Sequence, residues 1–140
     1  MIVLDTDHLS EFQWARSPAS AALRDRLRRT DEPVATTIVS VEEQARGWLA
    51  EIHRKRKARD QITPYRKFQE LFAFFAGWTI LSWTDAAVDQ FDQLKVQRIR
   101  IGTLDLKIAS IVLSHNATVV TRNRKDFEQV PGLRIENWLE

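Results

Sequence analysis

Apolar and polar positions follow two different periods along this chain. Ile2, Val3 and Leu4 form an unbroken apolar run, too short for a helix, that reads as a buried strand. A short helix is expected from Asp7 to Trp14. Pro18 stands near the start of a second helix, Ala19 to Arg29, with Ala22, Leu23 and Leu27 on one face. Pro33 to Thr36 is the next strand. Ser40 to about Lys57 carries Val41, Ala45, Trp48, Leu49 and Ile52 at helical spacing. Pro64 opens a helix through Ala76, stopped by Gly77, and Thr79 to Leu81 is a third strand. Thr84 reads as the N-cap of a helix to about Val96. A helix from Leu104 to His115 follows Thr103, read as its N-cap. Ala117 to Thr121 is a β-branched strand, and Leu133 to Ile135 a last short one. Strands separated by helices predict an α/β fold with a short, mostly parallel central sheet, and 1–140 as one domain.

Composition narrows this little. An apolar fraction of 44% and a charged fraction of 29% are ordinary for a globular domain. No cysteine is present, so thiolate metal sites and disulfides are excluded. That fits a reducing cytoplasm, as does the lack of a basic, apolar leader pattern. The longest apolar stretches, such as Leu71 to Ile80, are too short to span a membrane. Twenty-one basic residues stand against nineteen acids, but the bases cluster. Arg54 to Arg59, Arg98 with Arg100, and Arg122 with Arg124 and Lys125 are such clusters. On one surface they would attract a polyanion; singly, each reads as a solvated helix face.

The acids change the picture more. Asp5 and Asp7 follow the first strand directly, where two carboxylates repel unless a positive charge lies near. In a parallel sheet, ligands bind beyond the carboxyl ends of the strands. Asn123 follows the Ala117–Thr121 strand, with Asp126 three residues on. Asp105 falls in the first turn of its helix, and Glu42 and Glu43 in the first turn of theirs. Each has a local explanation. Ser40 and Glu43 match a capping box, Asp105 suits the helix dipole, and Asp5 and Asp7 are turn formers. No local rule places all of them at strand ends together. Carboxylate and amide oxygens without thiolates suit Mg²⁺ or Mn²⁺, ions that serve phosphodiester hydrolysis. His8, His53 and His115 are too scattered for a metal triad and read as surface or helix-end residues. Trp48 and Trp78 read as core or interface residues, with base stacking as the alternative.

Four stretches carry a likeness: IVLDTDHLS, TTIVSVEEQARG, IGTLDLKIASIVL and ATVVTRNRKDFEQVPGLRIENW. In order and spacing they resemble the PIN-domain ribonucleases, and within them the VapC-type toxins of toxin–antitoxin pairs. The resemblance implies a PIN-like three-layer fold and a Mg²⁺- or Mn²⁺-dependent endoribonuclease acting on RNA, often tRNA. It leaves a 5′-phosphate and a 3′-hydroxyl. The family's first acid falls on Asp5, its Glu on Glu43 (Gly47 follows four residues later) and its third acid on Asp105. Its fourth position falls on Asn123, where other members have Asp, with Asp126 as the substitute. Asp7 takes a supporting position, and Thr121 lies two residues before Asn123. Asp5, Glu43 and Asp105 are the expected metal ligands, with Asn123 completing the catalytic set.

Periodicity conflicts with one of these assignments. Glu43 points nearly opposite the stripe of Val41, Ala45, Trp48 and Ile52, while Glu42 lies at its edge. Spacing to Gly47 favours Glu43. Arg54, Arg56, Arg98, Arg100 and Arg122 are the expected RNA contacts. A cognate antitoxin, a homodimer and a larger assembly with the antitoxin are also implied. Two rivals remain: a non-catalytic RNA-binding or assembly domain on the same fold, and a phosphatase or receiver-like domain. The latter lacks a matching Lys or Thr constellation.

Overall fold

A computed structural model describes residues 1–140. Five short strands form one sheet: β1 (Ile2–Leu4), β2 (Val34–Thr37), β3 (Thr79–Leu81), β4 (Thr118–Val120) and β5 (Arg134–Glu136). Their order is β3-β2-β1-β4-β5, and every pairing is parallel. The sheet is therefore wholly parallel rather than mostly so. Seven helices connect it: α1 (Thr6–Trp14), α2 (Pro18–Arg29), α3 (Ile38–Arg54), α4 (Ile62–Ala76), α5 (Asp85–Val96), α6 (Thr103–Ser114) and the single turn α7 (Arg124–Phe127). A 3₁₀ turn, Ala58–Gln61, leads into α4.

The central strand β1 is apolar throughout because both of its faces are buried. Val3 joins a cluster with Ala87 and Leu94 of α5 and Leu106, Ile108 and Ile111 of α6. Ile2 and Leu4 point the other way, into Leu9, Leu23, Leu71 and Phe75 of α1, α2 and α4. The alternation of a strand thus divides the core into two apolar layers with the sheet between them.

The helix starts differ from the sequence reading in informative places. α3 begins at Ile38, directly off β2, and Thr37 caps it by accepting from Ser40 N–H at 3.1 Å. Ser40 is therefore the third helical residue, not a cap, and the Ser40–Glu43 capping box does not form. Glu42 and Glu43 consequently lie beyond the first turn. α3 also ends at Arg54, short of Lys57. Gly102, not Thr103, caps α6, which leaves Asp105 in the first turn. Pro64 lies inside the first turn of α4, which starts at Ile62. Thr84 does cap α5, accepting from Ala87 N–H.

Candidate active site

Parallel strands aim their carboxyl ends at one rim of the sheet, and the acids meet there. Asp5 closes β1 and caps α1 at once, its Oδ1 accepting from Thr6 N–H at 2.7 Å. Its burial, at 5% exposure, is that of a core residue. Glu43 arrives from α3 and Asp105 from α6. One carboxylate oxygen from each of these three residues lies within 4.8 Å of the others.

A ring of donors fixes them. The Thr121 hydroxyl, at the end of β4, lies 2.8 Å from Asp5 Oδ2 and 3.2 Å from Asp7 Oδ2. The Thr6 hydroxyl donates to Glu43 Oε1 at 3.1 Å. The Asn123 amide donates to Asp105 Oδ2 at 3.2 Å and to Asp126 Oδ2 at 3.1 Å. Asn123 thus presents its NH₂, not its oxygen, to the acids. A neutral amide answers two carboxylates and holds Asp126 beside Asp105.

Glu42 turns away and pairs with Arg46 at 2.7 Å on the surface. Periodicity places Glu42 at the edge of the apolar stripe, yet Glu43 is the one that reaches the acid cluster.

The electrostatics follow from burial. Burial pushes the Asp5 carboxyl up to about 7, and the Asp7 charge adds to this against the hydrogen bonds from Thr6 and Thr121. Burial also raises Glu43, with Asp105 and Asp7 nearby, and raises Asp105, with Asp126 nearby. Asp7 is the exception. Burial alone would raise it, but hydrogen bonds from His8, Arg122 N–H and Thr121 outweigh that and hold it below its ordinary value. Three acids strained towards protonation beside one that stays ionised make a site short of positive charge.

His8 is a component the sequence reading missed. It is fully buried, not a surface histidine. Its Nε2 accepts from Trp138 N–H at 3.1 Å, which leaves Nδ1–H to donate to Asp7 Oδ1 at 2.7 Å. No local signal reveals a contact 130 residues apart. Replacing His8 with Leu strands the Trp138 N–H and loosens Asp7. A loss of about 1–3 kcal/mol in stability is expected, read by thermal or urea unfolding. His53 and His115 are exposed helix-end residues.

The expected RNA contacts do not converge equally. Arg122 touches the site, with its N–H on Asp7 Oδ2 at 3.0 Å and its side chain on Glu11 at 3.2 Å. Exposed Arg98 and Arg100 precede α6. Arg54 pairs with Glu51 at the far end of α3, about 16 Å along the helix from Glu43, and Arg56 lies just beyond. Trp78 packs on Phe12 and Phe74, while Trp48 packs edge-on against Trp14.

Comparison with known proteins bears on the fold and family. A stretch of 46 residues is 46% identical to "Ribonuclease VapC2" of Rickettsia felis, covering 33% of this chain and 34% of that protein. The chain thus spans about a third of that relative's length in the match. A match over 140 residues, 97% of this chain and 96% of the relative, is 26% identical to a "tRNA(fMet)-specific endonuclease VapC" of Shigella flexneri. The crystal structure of VapBC2 from Rickettsia felis, bound to a promoter DNA fragment, superposes with a TM-score of 0.73 at 24% identity. That superposition covers 99% of both chains. The PIN domain family profile matches residues 2–133, and the chain belongs to the PIN domain family.

Proposed function

We propose that this protein is an endoribonuclease of the VapC toxin type, dependent on Mg²⁺ or Mn²⁺, that hydrolyses phosphodiester bonds in RNA. The observation that carries this reading is the convergence of Asp5, Glu43 and Asp105 at the sheet rim. The donor set fits a hard cation: three carboxylates, no sulfur, and a buried Asp5 that burial and then the nearby Asp7 charge push up to about 7. A divalent cation held there supplies an activated water and stabilises charge on the phosphoryl oxygens.

The chain's own residues do the rest. Asp5, Glu43 and Asp105 hold the cation. Thr121 and Thr6 fix the orientation of Asp5 and Glu43, and Asn123 fixes Asp105. Asp7 stays ionised through His8 and keeps the rim negative. Arg122 offers an exposed cation at the edge of the site for the RNA backbone. The product carries a 5′-phosphate, and tRNA is the substrate class suggested by the relative's name.

Titration calorimetry with Mn²⁺ tests the centre. One or more sites are expected in the parent, and loss of binding in Asp105→Asn. Metal-independent RNA cleavage would overturn the reading.

Asn123 sets the metal requirement. An amide there carries less charge than a carboxylate, so a high Mg²⁺ demand and a preference for Mn²⁺ are expected. Asn123→Asp should lower the Mg²⁺ concentration for half-maximal cleavage by about three- to tenfold. It should also lower the melting temperature without metal, because the donor that separates Asp105 from Asp126 is gone. Asp126→Asn should be mild; loss of all cleavage in it would make Asp126 the fourth ligand.

The partners proposed are a cognate antitoxin and a second copy of this chain, in the cytoplasm. An apolar cleft of about 300 Å³ between α3 and α4, lined by Val41, Ala45, Phe68, Leu71 and Phe72, supports a protein partner. Phe72 is 67% exposed there. No helix is long and apolar enough to cross a membrane.

A further inference from the structure

A second cleft, of about 540 Å³, opens beside the acids. Its walls are Ser10 and Trp14 of α1 and Gln44, Gly47, Trp48 and Glu51 of α3. Thr6 and Glu43 line it too, so the cleft shares Glu43 with the acid cluster. The volume lies within the range of small-molecule sites, roughly 300–1,000 Å³. We propose that this cleft receives one unstacked nucleobase of the RNA strand next to the bond being cut. The inference rests on the ribonuclease reading of the acid cluster.

Three observations carry it. The first is the aromatic wall: Trp14 and Trp48 pack edge to face, ring centroids 6.1 Å apart, and both reach the cleft. Single-stranded RNA is recognised by stacking unpaired bases on such rings. Lys67 Nζ, 4.0 Å from the Trp14 centroid, adds a positive charge to a wall otherwise flanked by Glu43 and Glu51.

The second is Gln44. It is only 7% exposed, and its amide donates to Ser10 Oγ at 3.1 Å while no protein group donates to its Oε1. An amide oxygen at a cleft wall with no protein donor is free to accept one from a ligand. The N–H edge of a base is such a donor.

The third is Gly47. Glycine destabilises a helix interior, yet a Cβ built here meets nothing within 4 Å. No packing in this chain requires a glycine. The missing side chain keeps the cleft open.

Indole N–H resonances in a ¹H–¹⁵N spectrum test the proposal. Trp14→Phe and Trp48→Phe assign the two signals among five tryptophans. The probes are AMP, CMP, GMP and UMP, with ribose 5-phosphate as the baseless control. Both signals should shift with at least one nucleotide and stay fixed with ribose 5-phosphate. Asp5→Asn should keep these shifts while losing turnover, so the pocket and the nuclease reading fail separately. Gly47→Ala should raise the melting temperature. Gly47→Leu should fold, lose the nucleotide shifts, and raise KM for a short RNA at least tenfold with a smaller change in kcat. Equal shifts with ribose 5-phosphate, or none with any nucleotide, overturn the proposal. A folded Gly47→Leu that cleaves at the parental kcat/KM also overturns it and leaves the cleft to a protein partner.

Discussion

Asp5→Asn is expected to abolish RNA cleavage and, in the absence of metal, to make the protein more stable. Both effects follow from one buried carboxylate. The substitution keeps the hydrogen bonds, because an amide oxygen still accepts from Thr6 N–H and the new NH₂ donates to Thr121 Oγ1. Thr121 then turns its proton fully to Asp7, 3.2 Å away. What disappears is the charge, and with it a cation ligand. A fall in cleavage rate on the order of 100- to 1,000-fold or more is expected.

The stability effect has a direction fixed by the pKa. The Asp5 carboxyl titrates at about 7 in the folded chain against an ordinary 3.8. Between these values the folded state binds the extra proton. Its contribution is therefore complete below about pH 4 and is lost as pH rises to about 7. The size is on the order of 4 kcal/mol for the parent without metal. Asp7, held low, acts in the opposite sense, and its contribution is lost only as pH falls below the ordinary carboxylate range. The metal-free parent should melt lower at pH 8 than at pH 5. Asp5→Asn should flatten that fall and melt roughly 5–10 °C above the parent at pH 8. Mn²⁺ should raise the parent and not the variant. An Asp5→Asn protein that cleaves at the parental rate would remove Asp5 from the site.

Glu43→Gln is the second large effect, and Glu42→Gln is its control. Gln at 43 can still accept from the Thr6 hydroxyl, now 3.1 Å from Oε1, so the fold should hold. Without the carboxylate the cation loses one of three anchors, and cleavage should fall about 100-fold or more. Glu42→Gln breaks only a surface pair with Arg46, worth about 0.3–0.5 kcal/mol, and should cleave almost normally. Equal activity of both variants, or loss only in Glu42→Gln, would reassign the α3 ligand.

The sheet and its rim were legible because they rest on local patterns. An apolar triplet ending in an acid can be read in one glance at residues 2–5, and the β-branched run before Thr121 likewise. The α/β class follows from those runs and the helical spacings between them. Legibility stopped where one contact decided the matter. Whether Ser40 caps depends on Thr37, whose hydroxyl takes the same N–H because β2 runs into α3 without a loop. The orientation of Asn123 depends on two carboxylates that compete for its amide. His8 looked like a surface residue because its partner Trp138 lies at the other end of the chain. Arg54 and Arg56 belong to a basic run in the sequence, but α3 carries Arg54 away from the rim.

The position of β1 between β2 and β4 sets a timetable for synthesis. Asp5 is made well before its partners: its N–H waits for Val120 C=O and its carboxylate for the Thr121 hydroxyl, 116 positions later. At about 5–20 residues per second, that interval is roughly 6 to 23 seconds. During it the nascent chain gains β2 and β3 but none of the β4 side of the rim. Any product that stops short of β4 lacks a completed site. On the proposed reading, cleavage therefore awaits the synthesis of β4 and Thr121.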